Sequence, residues 1–98
     1  MSVLQTLNPA YGKGITGSVT GTSAASEIGF GHKTLCLTNL GAETVYVRVG
    51  LSGVVATTSD YPVLSGTQVT ITKDQDHTHI AYKTGTASSL HIIPGEGF

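Results

Sequence analysis

Charge is the scarcest commodity in this chain. Only 11% of residues are charged, against about 25% in an ordinary soluble domain. The five cations Lys13, Lys33, Arg48, Lys73 and Lys83 are scattered and the net charge is −1. A basic stripe that would track a phosphate backbone is therefore excluded. Cysteine occurs once, at Cys36, so no internal disulfide can form. Lying between Leu35 and Leu37, that thiol is expected to be reduced, and either semi-buried or at a packing surface. Tryptophan is absent and the aromatics are four Tyr and two Phe, a weak platform for stacking on sugars. No apolar run approaches the ~18 residues of a membrane-spanning helix. The first residues also lack the charged and apolar regions of a secretory signal. The reading is a soluble protein made in a cytoplasm, with no membrane partner. Helical spacing is missing throughout.

What remains is short-period alternation. In Val45-Tyr46-Val47-Arg48-Val49 the valines share one face of a strand, and Tyr46 and Arg48 share the other. The turn signal Asn39-Leu40-Gly41 precedes this run. Comparable runs are expected at residues 18–24 (a weak edge strand), 34–38, 54–57, 68–73, 79–83 and 90–93. Turn-forming residues separate them, as in Ser65-Gly66 and Asp74-Gln75-Asp76. Residues 34–38 and 44–49 read as a hairpin. Residues 59–62 read as a loop because Pro62 lacks a ladder donor, and residues 84–88 read as a polar turn. Ninety-eight residues fit one domain. The expected fold is all-β, a small antiparallel β-sandwich of jelly-roll-like or immunoglobulin-like order. Residues 1–32 are rich in Gly, Ser, Thr and Ala; residues 1–17 are expected to form an extended N-terminal arm, and residues 18–98 a single sandwich domain.

Motifs for chemistry are faint. His77-Thr78-His79 puts two imidazoles on one face of an extended segment, behind Asp74 and Asp76. Zinc needs at least three convergent ligands with a second shell, so a solvated turn is the simpler reading. Tyr11-Gly12-Lys13-Gly14 lacks the spacing, strand and helix of a phosphate loop. A Gly-x-Ser-x-Gly elbow is absent. Six scattered carboxylates define no acid pair. No catalytic, cofactor or metal residues are assigned, and the chain is read as non-enzymatic. Tyr46, Arg48, Tyr61 and His91 are the candidate interface residues. Each projects from a strand face or loop, and Tyr and Arg are enriched where proteins meet.

Five segments carry a family resemblance. They are Asn39-Leu40-Gly41, Val45 to Gly50, Ala56 through Asp60-Tyr61-Pro62 to Gly66, Thr78 to Tyr82, and Leu90-His91-Ile92-Ile93-Pro94-Gly95-Glu96-Gly97. Together these resemble small proteins encoded among the structural genes of tailed bacteriophages, over residues 35–97. The resemblance implies a virion component and supplies no catalytic residues. The expectation is a capsid decoration (cement) protein on the virion surface, clamping the major capsid protein as a homo-oligomer, with a homotrimer favoured. The alternatives are a neck, tail or fibre component, or a displayed glycan-binding module.

Overall fold

The computed structural model describes residues 8–9, 12, 14–28, 32–74 and 76–96. They form strands β1 (Asn8–Pro9), β2 (Ile15–Thr20), β3 (Ala24–Glu27), β4 (Thr34–Asn39), β5 (Val45–Gly50), β6 (Tyr61–Val63), β7 (Gln68–Thr72), β8 (His79–Lys83) and β9 (Ala87–Glu96). Among the described residues there is no helix. One sheet has the order β1–β9–β4–β7, with β2 also paired to β9; the other has the order β3–β8–β5–β6. All pairings are antiparallel. Because β4 occupies one side of β9, β1 and β2 lie in line along its other side.

The nesting identifies the topology. β5 pairs with β6, β4 with β7, β3 with β8 and β2 with β9. A long two-stranded ribbon, turned at residues 51–60, is thus wrapped over so that β4 meets β9 and β5 meets β8. This is the jelly roll, one of the two orders that strand spacing allows.

Alternation explains the core. Val45 and Val47 are buried while Arg48 is exposed. Leu35 and Leu37 of β4, Ile80 and Tyr82 of β8, and Leu90 and Ile92 of β9 meet them between the sheets. Each such side chain contributes roughly 1.5–3 kcal/mol on burial. The Tyr82 hydroxyl pairs with Ser26 Oγ at 2.5 Å. Gly17 leaves room for it, since a Cβ there would lie 2.6 Å from that oxygen.

Four local expectations need correction. Residues 34–38 and 44–49 are not a hairpin: β4 and β5 belong to different sheets, and residues 40–44 carry the chain between them. The buried Asn39 sets that crossing. Its Nδ2 donates to the carbonyls of Glu43 (2.6 Å) and Val63 (2.9 Å), and its Oδ1 accepts from Gly41 N (3.0 Å) and Ser88 Oγ (2.9 Å). Residues 54–57 form no strand; Val54 instead packs against Gly50. Tyr61–Val63 does form one, which Pro62 tolerates because β6 is an edge. Finally, β9 begins at Ala87, inside the expected polar turn, because β2 pairs with it from Thr20 opposite Ala87 onward, β4 joining on the other side from Leu90.

At the N-terminus β2 begins at Ile15 and β1 pairs Asn8 with Glu96. The break at Gly21–Ser23, within the strand expected at 18–24, is the corner where the chain changes sheets. The remainder of the expected arm, residues 1–7, 10, 11 and 13, lies outside the described residues.

Candidate interaction surface

Three of the four candidate interface residues gather on one sheet. Tyr46 and Arg48 project outward from β5, on the side opposite Val45 and Val47. Tyr61 opens β6, opposite Val47 in the ladder, and is 49% exposed at the end of the sheet. Between β5 and β6, residues 51–60 fold back across the outer face of β8. Ala81 and Ala25, paired neighbours on that face, are small enough to let the loop approach. The effect is that Ala81 and Ala56 are both buried. Ala56 N donates to Ser23 Oγ at 2.9 Å, fastening the loop to the β2–β3 corner.

Asp60 organises the return of this loop. Its Oδ2 accepts from Thr57 N at 2.7 Å and from Thr57 Oγ1 at 3.2 Å. Its Oδ1 lies 3.6 Å from Arg48 Nε. This local use of Asp before Tyr61-Pro62 matches its turn-forming role. Arg48 remains mostly exposed, so the pair contributes little to stability but aims the guanidinium along the loop. Leu51 and Val55 stand exposed beside it. The result is an open, shallow groove walled by Arg48, Val49, Gly50 and residues 51–55. A second groove runs between residues 53–57 and the β2–β3 corner, with Lys83 as its charged wall. Neither encloses a small molecule in the manner of a ligand pocket.

His91 stands apart from this group. It lies on the outer face of the other sheet, between Thr16 of β2 and Thr38 of β4. Its Nδ1 is 3.1 Å from Thr16 Oγ1. The ring sits over Gly14, where a Cβ would come within 2.9 Å of Cε1. Tyr61, paired with Val47, lies on that residue's side of the sheet at its exposed end, while Tyr46 and Arg48 lie on the outer face, so the four candidates make no single site. A second apolar exposure, Leu40 with Leu64, lies at the other end of the sandwich. Those two turns are joined by Gly66 N to Asn39 O (3.1 Å) and Ser65 Oγ to Gly41 O (2.8 Å). Sequence reading missed this pair because two isolated leucines in turns carry no periodic signal.

Of the histidine cluster, His79 Nδ1 is 2.8 Å from Thr78 Oγ1, and His77 Nε2 is 3.8 Å from Asp74 Oδ2. Among the described residues no three His, Cys, Asp or Glu side chains converge as metal ligands. Cys36 is free and only 5% exposed. It lies on the outer side of β4, facing Thr70 and Ile93 in the ladder. Glu43 is held toward its charged form. The Thr86 hydroxyl, then the Thr86 N–H, hold its pKa below the usual carboxylate value; partial burial opposes them and the Thr84 hydroxyl adds slightly.

No known family model and no curated protein sequence matches the chain. Similar solved structures show the fold alone. One is from a study of Bacillus endospore appendages described as disulfide-linked pili (13% identity, 96% of this chain, 90% of that chain, TM-score 0.52). Another is hydroxypropylphosphonic acid epoxidase from S. wedmorenis in complex with fosfomycin (12% identity, 83% of this chain, TM-score 0.50). This chain spans 42% of the epoxidase's length. PirA is similar over 85% of this chain and 93% of its own, at 13% identity and a TM-score of 0.49.

Proposed function

We propose that the chain is a structural component of a tailed-phage particle, a decoration protein that binds the outside of the assembled head and clamps its major capsid protein. The observation that carries this is the distribution of its exposed apolar residues. Leu51, Val55 and Tyr61 crown one end of the sandwich, and Leu40 with Leu64 crowns the other. Between them, the outer face of the β2–β9–β4–β7 sheet presents Thr16, Ser18, Thr20, Thr38, Thr70 and Thr72. Such a body works by packing against neighbours. The sequence resemblance over residues 35–97 supplies the setting.

The mechanism is mass action. A protein that binds the assembled shell and not its separated subunits stabilises the shell by RT ln(1 + [L]/Kd), about 2.7 kcal/mol per site at a hundredfold excess over Kd. Arg48, positioned by Asp60, offers planar hydrogen bonding, and Tyr61 offers rigid contact area. No catalytic step is assigned.

The test is direct. Purified tail-less heads stripped of the protein are titrated with it, and copy number is read from a quantitative gel alongside the heads' melting temperature. The expected result is high-copy, saturable binding that raises the melting temperature, weakened by R48A combined with Y61A. A copy number of roughly a dozen or fewer, following ring symmetry, would instead assign it to the neck. Binding of the isolated protein to bacterial surfaces with no head affinity would point to a glycan module.

A further inference from the structure

We infer that this protein pairs with further copies of itself, head to tail, by joining the open edge of β7 on one copy to the open edge of β2 on the next. The inference goes beyond the function proposed above and does not depend on a phage particle.

Sandwich edges expose unpaired N–H and C=O groups, and monomeric proteins blunt them with charge, proline, bulges or short length. The β3–β8–β5–β6 sheet follows that rule. Its edge β6 has three residues and includes Pro62; its edge β3 has four and ends at Glu27. The other sheet does not follow it. Edge β2 reads Ile-Thr-Gly-Ser-Val-Thr and edge β7 reads Gln-Val-Thr-Ile-Thr. Neither contains a charge or a proline, and both pair in unbroken register with their inner neighbour.

The outward groups can be named. Lys73 N donates to Lys33 O (2.7 Å) and Asn39 N to Thr67 O (3.0 Å). Odd-numbered residues therefore face β4, and Gln68, Thr70 and Thr72 turn their backbone groups to the open side. On the far edge, Leu40 N donates to Ser89 O (2.8 Å), so on β9 the odd-numbered residues face β4 and Ser88, Leu90 and Ile92 face β2. Their partners Val19, Gly17 and Ile15 bond inward, leaving Thr16, Ser18 and Thr20 facing out. The Thr20 carbonyl already accepts Thr84 N at 2.9 Å; among the described residues no partner takes the other outward backbone groups of these six. All six outward residues are exposed.

A second copy fits this edge for two reasons. The sheet is an even number of strands wide, so β2 of a following copy in the same orientation runs antiparallel to β7, as the ladder requires. The register that sets Thr16 against Thr72, Ser18 against Thr70 and Thr20 against Gln68 joins two hydroxyl pairs and one hydroxyl–amide pair on the outer face, a favourable cross-strand pairing. On the inner face the same register sets Val19 against Val69 and Gly17 against Ile71. Val69 and Ile71 are only half-buried in the single copy, so pairing along this edge covers more of both. The contact is heterologous, so it closes into a ring, such as a trimer, or continues as a filament.

The experiment uses the full chain, with mass read by sedimentation equilibrium across a concentration series. Wild type is expected to populate species above one copy. T70P removes a donor from the β7 edge and S18P one from the β2 edge, and neither donor is used within the copy. Each variant alone is expected to be a monomer. Mixed together, they still hold one intact edge of each kind and are expected to form dimers and nothing larger. T70K and S18K, which place a charge on each edge without constraining the backbone, repeat the test should a proline variant lose its β-type circular dichroism or its cooperative melt. A wild type that stays monomeric throughout, or folded variants that assemble like wild type, would overturn the inference.

Discussion

At the scale of single residues, Asn39 shows how much one buried amide can organise. It is fully buried. Its two donors go to carbonyls and its oxygen receives two hydrogen bonds, so the amide is satisfied in both senses. Removing it leaves the buried Val63 carbonyl and the part-buried Gly41 N–H without this partner, at about 1–3 kcal/mol for each buried group left unpaired. Asn39→Ala is therefore expected to cost about 2–4 kcal/mol. Asn39→Asp is expected to cost more at neutral pH, because a carboxylate would face two carbonyl oxygens. Part of that excess is recovered in acid, where a protonated oxygen can donate. Urea denaturation of the two variants at neutral and acidic pH checks the ordering; equal stability at neutral pH would show that the carbonyls find other donors. Val47 poses the apolar counterpart. At 2% exposure it faces the opposite sheet, and an unpaired carboxylate there costs several kcal/mol. Val47→Asp is expected to abolish folding. A stable, folded variant, read by circular dichroism and thermal melting, would refute the facing assigned to β5.

At the scale of elements, the crossing at residues 40–44 and the turn at 84–86 are held together by Glu43. Its Oε1 accepts Thr86 N at 2.8 Å, and its Oε2 accepts the Thr86 hydroxyl. These bonds favour the charged form and lower its pKa in the folded protein. The linked stability is fully present above the unfolded-state pKa and is lost as pH falls through the lowered folded value. Glu43→Gln should therefore melt at lower temperature than wild type at neutral pH. The gap should close on acidification through the carboxylate range, below about pH 4. A gap that does not vary with pH would mean the carboxylate's charge is irrelevant to the link. Such ties explain what could be read in advance. Strand faces were legible in β5, β7, β8 and β9, because alternation reports directly which side is dry. Partner strands were not, since β4 is followed by turn residues that suit a hairpin and a sheet-to-sheet crossing equally well. The Asn39 network that decides between them draws on Val63 and Ser88, remote in sequence. Val54 and Val55 imitate a strand, yet they line a loop lying on the outer face of β8. Tyr46 and Arg48 were legible as outward residues; Tyr61's place in β6 beside Val47, and the separation of Tyr46 and Arg48 from His91 by the thickness of the sandwich, were not, because they depend on which strands pair and which sheet each joins.

At the scale of the whole molecule, the nested ribbon means that nearly every strand pairs with one distant in sequence, and the outermost pairing joins the two ends of the described chain. Asn8 pairs with Glu96 and Pro9 with Gly95. The innermost connection, residues 51–60 between β5 and β6, is exposed at Leu51, Ser52 and Gly53. If the fold is stabilised by the wrapped sheets and not by any one turn, the chain should tolerate being reopened at its centre and closed at its ends. Consider a circular permutant in which Phe98 is joined to Met1 and the chain begins at Gly53. The new connection between β9 and β1 has nine residues, 97–98 and 1–7, and it replaces an opened loop of ten, 51–60. Closure entropy varies only as (3/2)RT ln n, so the two nearly cancel. The permutant is expected to fold with the same β-type circular dichroism and to lie within about 2 kcal/mol of the parent, the remaining loss coming from the freed fastening of Ala56 to Ser23. Opening the chain between Ser89 and Leu90 should instead prevent folding, because β9 pairs on both sides and a break there severs the centre of its sheet. Chemical denaturation of both permutants decides the matter: an unfolded first permutant would make the β5–β6 hairpin indispensable, and a stable second one would remove β9 from its place as the strand on which the sheet is built.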